Sequence, residues 1–448
     1  MSKSSTPYFV SFGCWNNGGC NLEGASKQTD LSKVMEKLNS LKTDPLLMSR
    51  PKQIFVAGDN YYPEKEETMS DNGSKKKIKK FKYDEFESGF ECLPRNVPIF
   101  MNYGNHDYEN GLMVDGVKNE NCILTTSERD IVRDIVTKKP KNIRLKMFQH
   151  IDFSDSTLVI MIDTTMYDKE AIPDYEYCYQ YAVIDDGDPQ VFAGSFENAK
   201  SKQVEFMSLV VGKIIKKTSY SNIVIIGHHP IMYYKIKEAK TKKAKAEGVP
   251  SAEGVPSAEG SEITKKEKKE KKDKKLEVRT EKLDDLAKFL YEELYKKLKE
   301  KHRDVSYYYL CADLHQFQSG NITIGEGDEV MNIRQYIAGT GGAKKDIYDP
   351  SLIDKYIKEL DEEAPKDITY HMSQDDIMKS RSENGFLICK ENEDTTLHFQ
   401  FYDVNNNKII DCLGLTGGYK KYRNTKWSFK KHTKKYTKKH TKKNLKRT

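Results

Sequence analysis

Gln53-Ile54-Phe55-Val56-Ala57-Gly58-Asp59-Asn60-Tyr61-Tyr62 runs an apolar, strand-like segment straight into a glycine-aspartate turn. The pattern recurs twice: residues 97–103 lead into Gly104-Asn105-His106-Asp107, and residues 223–226 into Gly227-His228-His229-Pro230. Short continuous apolar runs of this kind predict strands covered on both faces. An aspartate, an asparagine and a histidine, each at the end of a buried strand, are what is needed to fix two divalent or trivalent ions side by side. Any one of the motifs alone reads equally well as a turn, so their order along the chain decides the reading.

Outward from these motifs, residues 8–12 predict a first strand, and Thr29 or Asp30 caps a helix with Leu31, Val34, Leu38 and Leu41 on one face. Residues 157–162 predict a buried strand ending in Asp163-Thr164-Thr165, and His150 closes another near Met147. A helix over 197–217 places Val204, Met207, Val211 and Ile214 at helical spacing and feeds the strand at 223–226, a β-α-β rhythm. Leu283, Leu286, Leu290, Leu294 and Leu298 mark a second long amphipathic helix before a strand at 306–311. Two late segments read as antiparallel strands: 331–338, ending in Gly339-Thr340-Gly341-Gly342, and the pair 385–390 with 396–402. An α/β body with a second sheet fits this order.

The 448 residues suffice for one large α/β domain, although only 37% are hydrophobic. Two lysine-rich stretches account for the deficit, an insert at about 235–278 and a tail over 420–448. The body expected is therefore 1–419, interrupted by the insert. Inside the insert Glu247-Gly248-Val249-Pro250-Ser251-Ala252 repeats at once as residues 253–258, and a Lys/Glu run from Lys265 is expected to extend the following helix into solvent. The tail holds 14 Lys or Arg and no acid, so a net +7 overall becomes −7 over residues 1–419. Such an appendage suits nucleic acid or another polyanion. No apolar run reaches bilayer length, and residues 1–7 lack a signal pattern, which makes a cytoplasmic or nuclear location the expectation. Cysteines 14, 20, 92, 122, 178, 311, 389 and 412 form no C-x-x-C pair, which fits mostly free thiols in a reducing compartment.

Asp59 can give one carboxylate oxygen to each of two ions, and Tyr62 can reach back as a phenolate ligand that favours a hard trivalent ion. Asn105 offers an amide oxygen and His228 an imidazole. His106 can face a substrate as proton donor, with Asp107 orienting it, and His229 can contact phosphate or simply pack.

With these residues in order, the chain resembles the calcineurin-like metallophosphoesterases and, among them, the purple (tartrate-resistant) acid phosphatases. The resemblance runs from about Tyr8 to Tyr402, insert excluded. Of that family's five blocks, D-x-G, G-D-x-x-Y, G-N-H-D/E, G-H-x-P and G-H-x-H, three are intact. It implies a four-layer α/β/β/α fold, a two-sheet β-sandwich flanked by helices. Two departures stand out: Gly13-Cys14-Trp15 puts Cys14 where the first metal's aspartate belongs, and Cys311-Ala312-Asp313-Leu314-His315 puts Asp313 where a histidine belongs. Carried over, the first metal would see Cys14, Asp59, Tyr62 and His315, and the second Asp59, Asn105, His228 and Asp313. Iron paired with zinc, manganese or iron is implied. Cys14 is equally readable as a small buried thiol beside a weakened site.

The resemblance implies a metallophosphatase that hydrolyses phosphomonoesters, small or on protein, by a hydroxide held between two ions. Two alternatives stand beside it: a phosphodiesterase or nucleic-acid-processing hydrolase, argued from the basic tail, and a degenerate phosphatase-fold binding protein, argued from Cys14 and Asp313.

Overall fold

Period-two alternation along the apolar strands sorts their side chains between two cores. In Tyr8–Phe12, Phe9 joins Phe55, Phe100, Val159, Val224 and Tyr308 in a cluster between two sheets. Tyr8, Val10 and Phe12 instead join Leu31, Val34 and Leu38 of helix Asp30–Ser40. Every residue of Tyr8–Phe12, Gln53–Ala57, Thr157–Met161 and Asn222–Ile226 is buried, as strands covered on both faces require.

The computed structural model describes residues 6–20, 29–44, 47, 49–69, 75–138, 143–169, 172–184, 192–238, 276–327, 329–360 and 367–412. Two seven-stranded sheets face each other. Across the first run Lys408–Asp411, Leu397–Asp403, Gly385–Glu391, Tyr8–Phe12, Gln53–Ala57, Ile99–Asn102 and Ile143–Leu145. Across the second run Ile368–His371, Phe317–Ile324, Met331–Ala338, Ser306–Cys311, Asn222–Ile226, Thr157–Met161 and Gln149–Asp152. Helices Asp30–Ser40 and Tyr83–Cys92 cover the outer face of the first, and Phe196–Lys216 with the helical run 284–299 that of the second. The fold is α/β, a helix-flanked two-sheet sandwich, as expected. No helix among the described residues is long and apolar enough to cross a membrane.

Several expectations need correction. Met331–Ala338 is antiparallel to Phe317–Ile324 but parallel to Ser306–Cys311. Val204 is 36% exposed and Gln203 is buried instead, because its amide accepts from the Asp163 N–H at 2.9 Å and donates to the Asp163 carbonyl at 2.9 Å. His150 lies inside strand Gln149–Asp152 and takes no part in the site. The flanks of the expected insert are ordered into an antiparallel hairpin, Met232–Glu238 with Leu276–Lys282, so the next helix begins only at Asp284. The repeat and the Lys/Glu run, at 239–275, and the basic tail lie outside the described residues. Six cysteines lie outside any disulfide, but Cys122 and Cys178 form one, which runs against a reducing compartment.

Candidate metal centre

The strands Tyr8–Phe12, Gln53–Ala57 and Ile99–Asn102 run parallel, as do Asn222–Ile226 and Ser306–Cys311, so their carboxyl ends deliver Cys14, Asp59, Asn105, His228 and Asp313 to one place. Ligand sites of open α/β sheets form at such ends. Two glycines let the loops close in. Gly58 has φ +72°, and a Cβ there would lie 2.5 Å from the Gly104 nitrogen; a Cβ on Gly104 would lie 2.4 Å from Asp59 Oδ1. Cys14, Asp59 and Asp313 adopt left-handed backbone, with φ of 52°, 52° and 51°. Non-glycine residues reach that region rarely and at a cost, and such strain clusters at functional sites.

Asp59 is the hub. Its Oδ1 accepts the His106 backbone N–H at 3.0 Å and lies 3.3 Å from His228 Nε2. Its Oδ2 accepts the Tyr62 hydroxyl at 2.5 Å, with Cys14 Sγ at 3.8 Å. Burial works against the carboxylate, but His228 and His106 more than offset it and hold its pKa well below the usual range. Burial and the charge of Asp59 push the Cys14 thiol up.

The hydrogen bonds at this centre run short of protons. His228 Nδ1 meets the Ala57 carbonyl at 2.8 Å and must donate there, which leaves Nε2 of a neutral ring as an acceptor. Nε2 nevertheless faces Asn105 Oδ1 at 3.0 Å, Asp59 Oδ1 at 3.3 Å and Asp313 Oδ1 at 3.8 Å, all acceptors. Either the ring carries a second proton or a cation sits among these atoms. In the protonated case burial would lower the His228 pKa, yet Asp59 and Asp313 push it up to about 9. Tyr62 likewise has one proton for Asp59 and for His315 Nε2, 2.9 Å away, while His315 Nδ1 is committed to the Lys344 carbonyl at 2.7 Å. The donor set therefore fits a bound metal cation.

Two groups of ligand atoms lie within 4.8 Å of one another among the described residues: Cys14, Asp59 and His228; and His228, His229 and Asp313. Tyr62 touches the first group directly, and His315 meets the Tyr62 hydroxyl. His229 belongs to the second group by distance, but its Nδ1 is 3.1 Å from Thr164 Oγ1. Burial and the neighbouring His228 lower its pKa to about 4.

Asp107 does not orient His106. Its carboxylate accepts the backbone N–H groups of Asn60 and Gly104, each at 2.7 Å, and the Asn60 side-chain amide at 3.0 Å, which locks two of the motif loops together. The partner of His106 Nδ1 is Glu109. Sequence reasoning passed over Glu109, and a signal was available. His106–Tyr108 is a 3-10 turn, in which residues three apart eclipse. Tyr233, whose hydroxyl lies 3.3 Å from Asp313 Oδ2, was also missed; it sits on Met232–Glu238, a strand whose last four residues were read as insert.

No protein-family model matches the chain, and no curated protein matches it. Among solved structures, the chain is similar to a purple acid phosphatase from seeds of yellow lupin (Lupinus luteus), at 12% identity and a TM-score of 0.44. The match covers 91% of this chain and 53% of that one, so the chain spans about half the length of that protein. At that level the likeness says nothing about activity, which rests on the site's own atoms.

Proposed function

We propose that the chain is a metal-dependent phosphoric ester hydrolase, related to the purple acid phosphatases and acting on monoesters. The observation that carries this is the convergence of Asp59, Asn105, His228 and Asp313 acceptors on one point at the sheet ends, with His106 beside them. Cys14 and Asp59, with Tyr62 and His315 behind, would hold one cation; Asp59, Asn105, His228 and Asp313 would hold the other. A thiolate at Cys14 favours zinc or ferrous iron, and the carboxylate of Asp313 suits manganese, magnesium or iron. Bound ions of this kind supply Lewis acidity and an activated water for attack on phosphorus.

The chain's own groups do the rest. His106 protonates the leaving oxygen, and its loop is fixed by its backbone N–H on Asp59 and by the Asp107 clamp to Asn60. His229, whose ring stands edge-on to that of His228, would meet a phosphate oxygen. The test is metal loading followed by elemental analysis and turnover of an alkyl phosphate, whose leaving group needs a proton. At least about one ion per chain is expected, and His106→Ala should lower turnover by roughly 10²–10⁴-fold. Less than about one ion per chain would favour the binding-protein reading, and unchanged turnover in His106→Ala would remove the histidine from the mechanism.

A further inference from the structure

Glu109 is 5% exposed and three residues beyond His106. Its Oε1 takes the His106 Nδ1 contact and, at 2.5 Å, the Lys79 ammonium; its Oε2 is buried with no hydrogen-bond partner among the described residues. Lys79 comes from Lys75–Lys80, a strand of a small four-stranded sheet separate from the sandwich. Its neighbours on that strand pair with exposed acids, Lys75 with Glu67 and Lys80 with Glu66. Lys79 alone among these reaches a buried one. The His106 ring also lies 4.9 Å from the Tyr62 ring, and its Nε2 has no protein partner among the described residues.

We propose that Lys79 and Glu109 are positioning residues for His106: Glu109 holds Nδ1 inward so that Nε2 points to the leaving oxygen, and Lys79 fixes Glu109. The inference rests on the hydrolase reading. In the step it serves, a water oxygen forms the new bond to phosphorus while the two water protons stay on the phosphate product, the old P–O bond breaks with its electron pair going to the leaving oxygen, and the doubly protonated His106 ring gives that oxygen its Nε2 proton. The neutral ring keeps the Nδ1 proton on Glu109.

The test compares two substrates, 4-nitrophenyl phosphate, whose leaving group departs without a proton, and an alkyl phosphate, whose leaving group needs one. The full-length, metal-loaded chain is assayed beside Glu109→Ala, Glu109→Gln and Lys79→Met, with metal content measured for each. Glu109→Ala should keep its metal and lose kcat on the alkyl ester at least about tenfold more than on the nitrophenyl ester, with KM little changed. Glu109→Gln, which keeps the size and one acceptor oxygen, should lean the same way by a smaller factor, and it serves should the alanine variant not fold. Lys79→Met should show a weaker version of that leaning; none would remove the lysine from the proposal. Equal losses on both esters, or loss of metal in the glutamine variant, would mean Glu109 is merely structural and overturn the inference while leaving the hydrolase intact. A parent chain idle on both esters would overturn the hydrolase reading and this one with it.

Discussion

Asp59 combines two demands, a left-handed backbone and a charge that binds. Asparagine tolerates that backbone about as readily as aspartate does. Asp59→Asn therefore removes the charge and spares the turn. A thermal melt close to the parent's is expected, with metal content and aryl phosphate turnover both sharply reduced; full metal content would show that the ions do not depend on this carboxylate. At this scale Asp59, Asn105 and His228 were legible as candidates, because each stands just after a buried strand, whereas Cys14, Asp313 and His315 came only with the family resemblance. The partner of His106 was not legible, since aspartate at the next position looked the natural choice. Asp107 is instead consumed by the backbone of Gly104 and Asn60, and the 3-10 turn brings Glu109 round to the ring.

Between elements, a buried ion pair fastens helix Gln374–Lys379 to the second sheet. Arg334, 2% exposed, reaches Asp376 through both guanidinium nitrogens, and Asp376 also accepts from Ser319 at 2.6 Å and closes a capping box with Ser373. Burial opposes the Asp376 charge, but Arg334 outweighs it and holds the pKa below the ordinary range. A group whose native pKa is depressed stabilises the fold fully above its unfolded value, near pH 4, and that contribution is lost as pH falls through the native value. Asp376→Ala should destabilise the chain by about 3–5 kcal/mol in denaturant melts at neutral pH, because it strands a buried guanidinium, and the gap should narrow in acid. A change under about 1 kcal/mol would mean water reaches the pair. Elements built from apolar runs were legible in the sequence. Those whose strands are charged, Glu64–Met69 with Lys75–Lys80, were not, because register there is set by Lys–Glu pairs rather than by a buried face.

For the whole molecule, the Cys122–Cys178 disulfide ties together connections belonging to different sheets. Cys122 precedes helix Ile123–Lys138, between two strands of the first sheet, and Cys178 lies in Glu176–Tyr181, after a strand of the second. Beside it Tyr179 stacks on Tyr108, centroids 4.2 Å apart, and both hydroxyls turn to Asp163. With a sequence separation of 56, the chain-entropy argument gives the cross-link about 4 kcal/mol. Reduction after mild unfolding, or Cys122→Ser with Cys178→Ser, should lower the unfolding free energy by about 2–4 kcal/mol. An unchanged denaturation midpoint under reductant would mean the two thiols are not bridged in solution. The sandwich itself was readable from strand order, whereas a cysteine pair this far apart carries no local spacing signal.

The left-handed turns at positions 14, 59 and 313 bear on the history of the chain. Each costs roughly 1–2 kcal/mol with an ordinary side chain and almost nothing with glycine. A lineage kept only for its shape could recover that stability by drifting to glycine, one position at a time. This chain has not done so: positions 14, 59 and 313 carry a thiol and two carboxylates, groups able to meet a metal, on backbone that glycine would suit better.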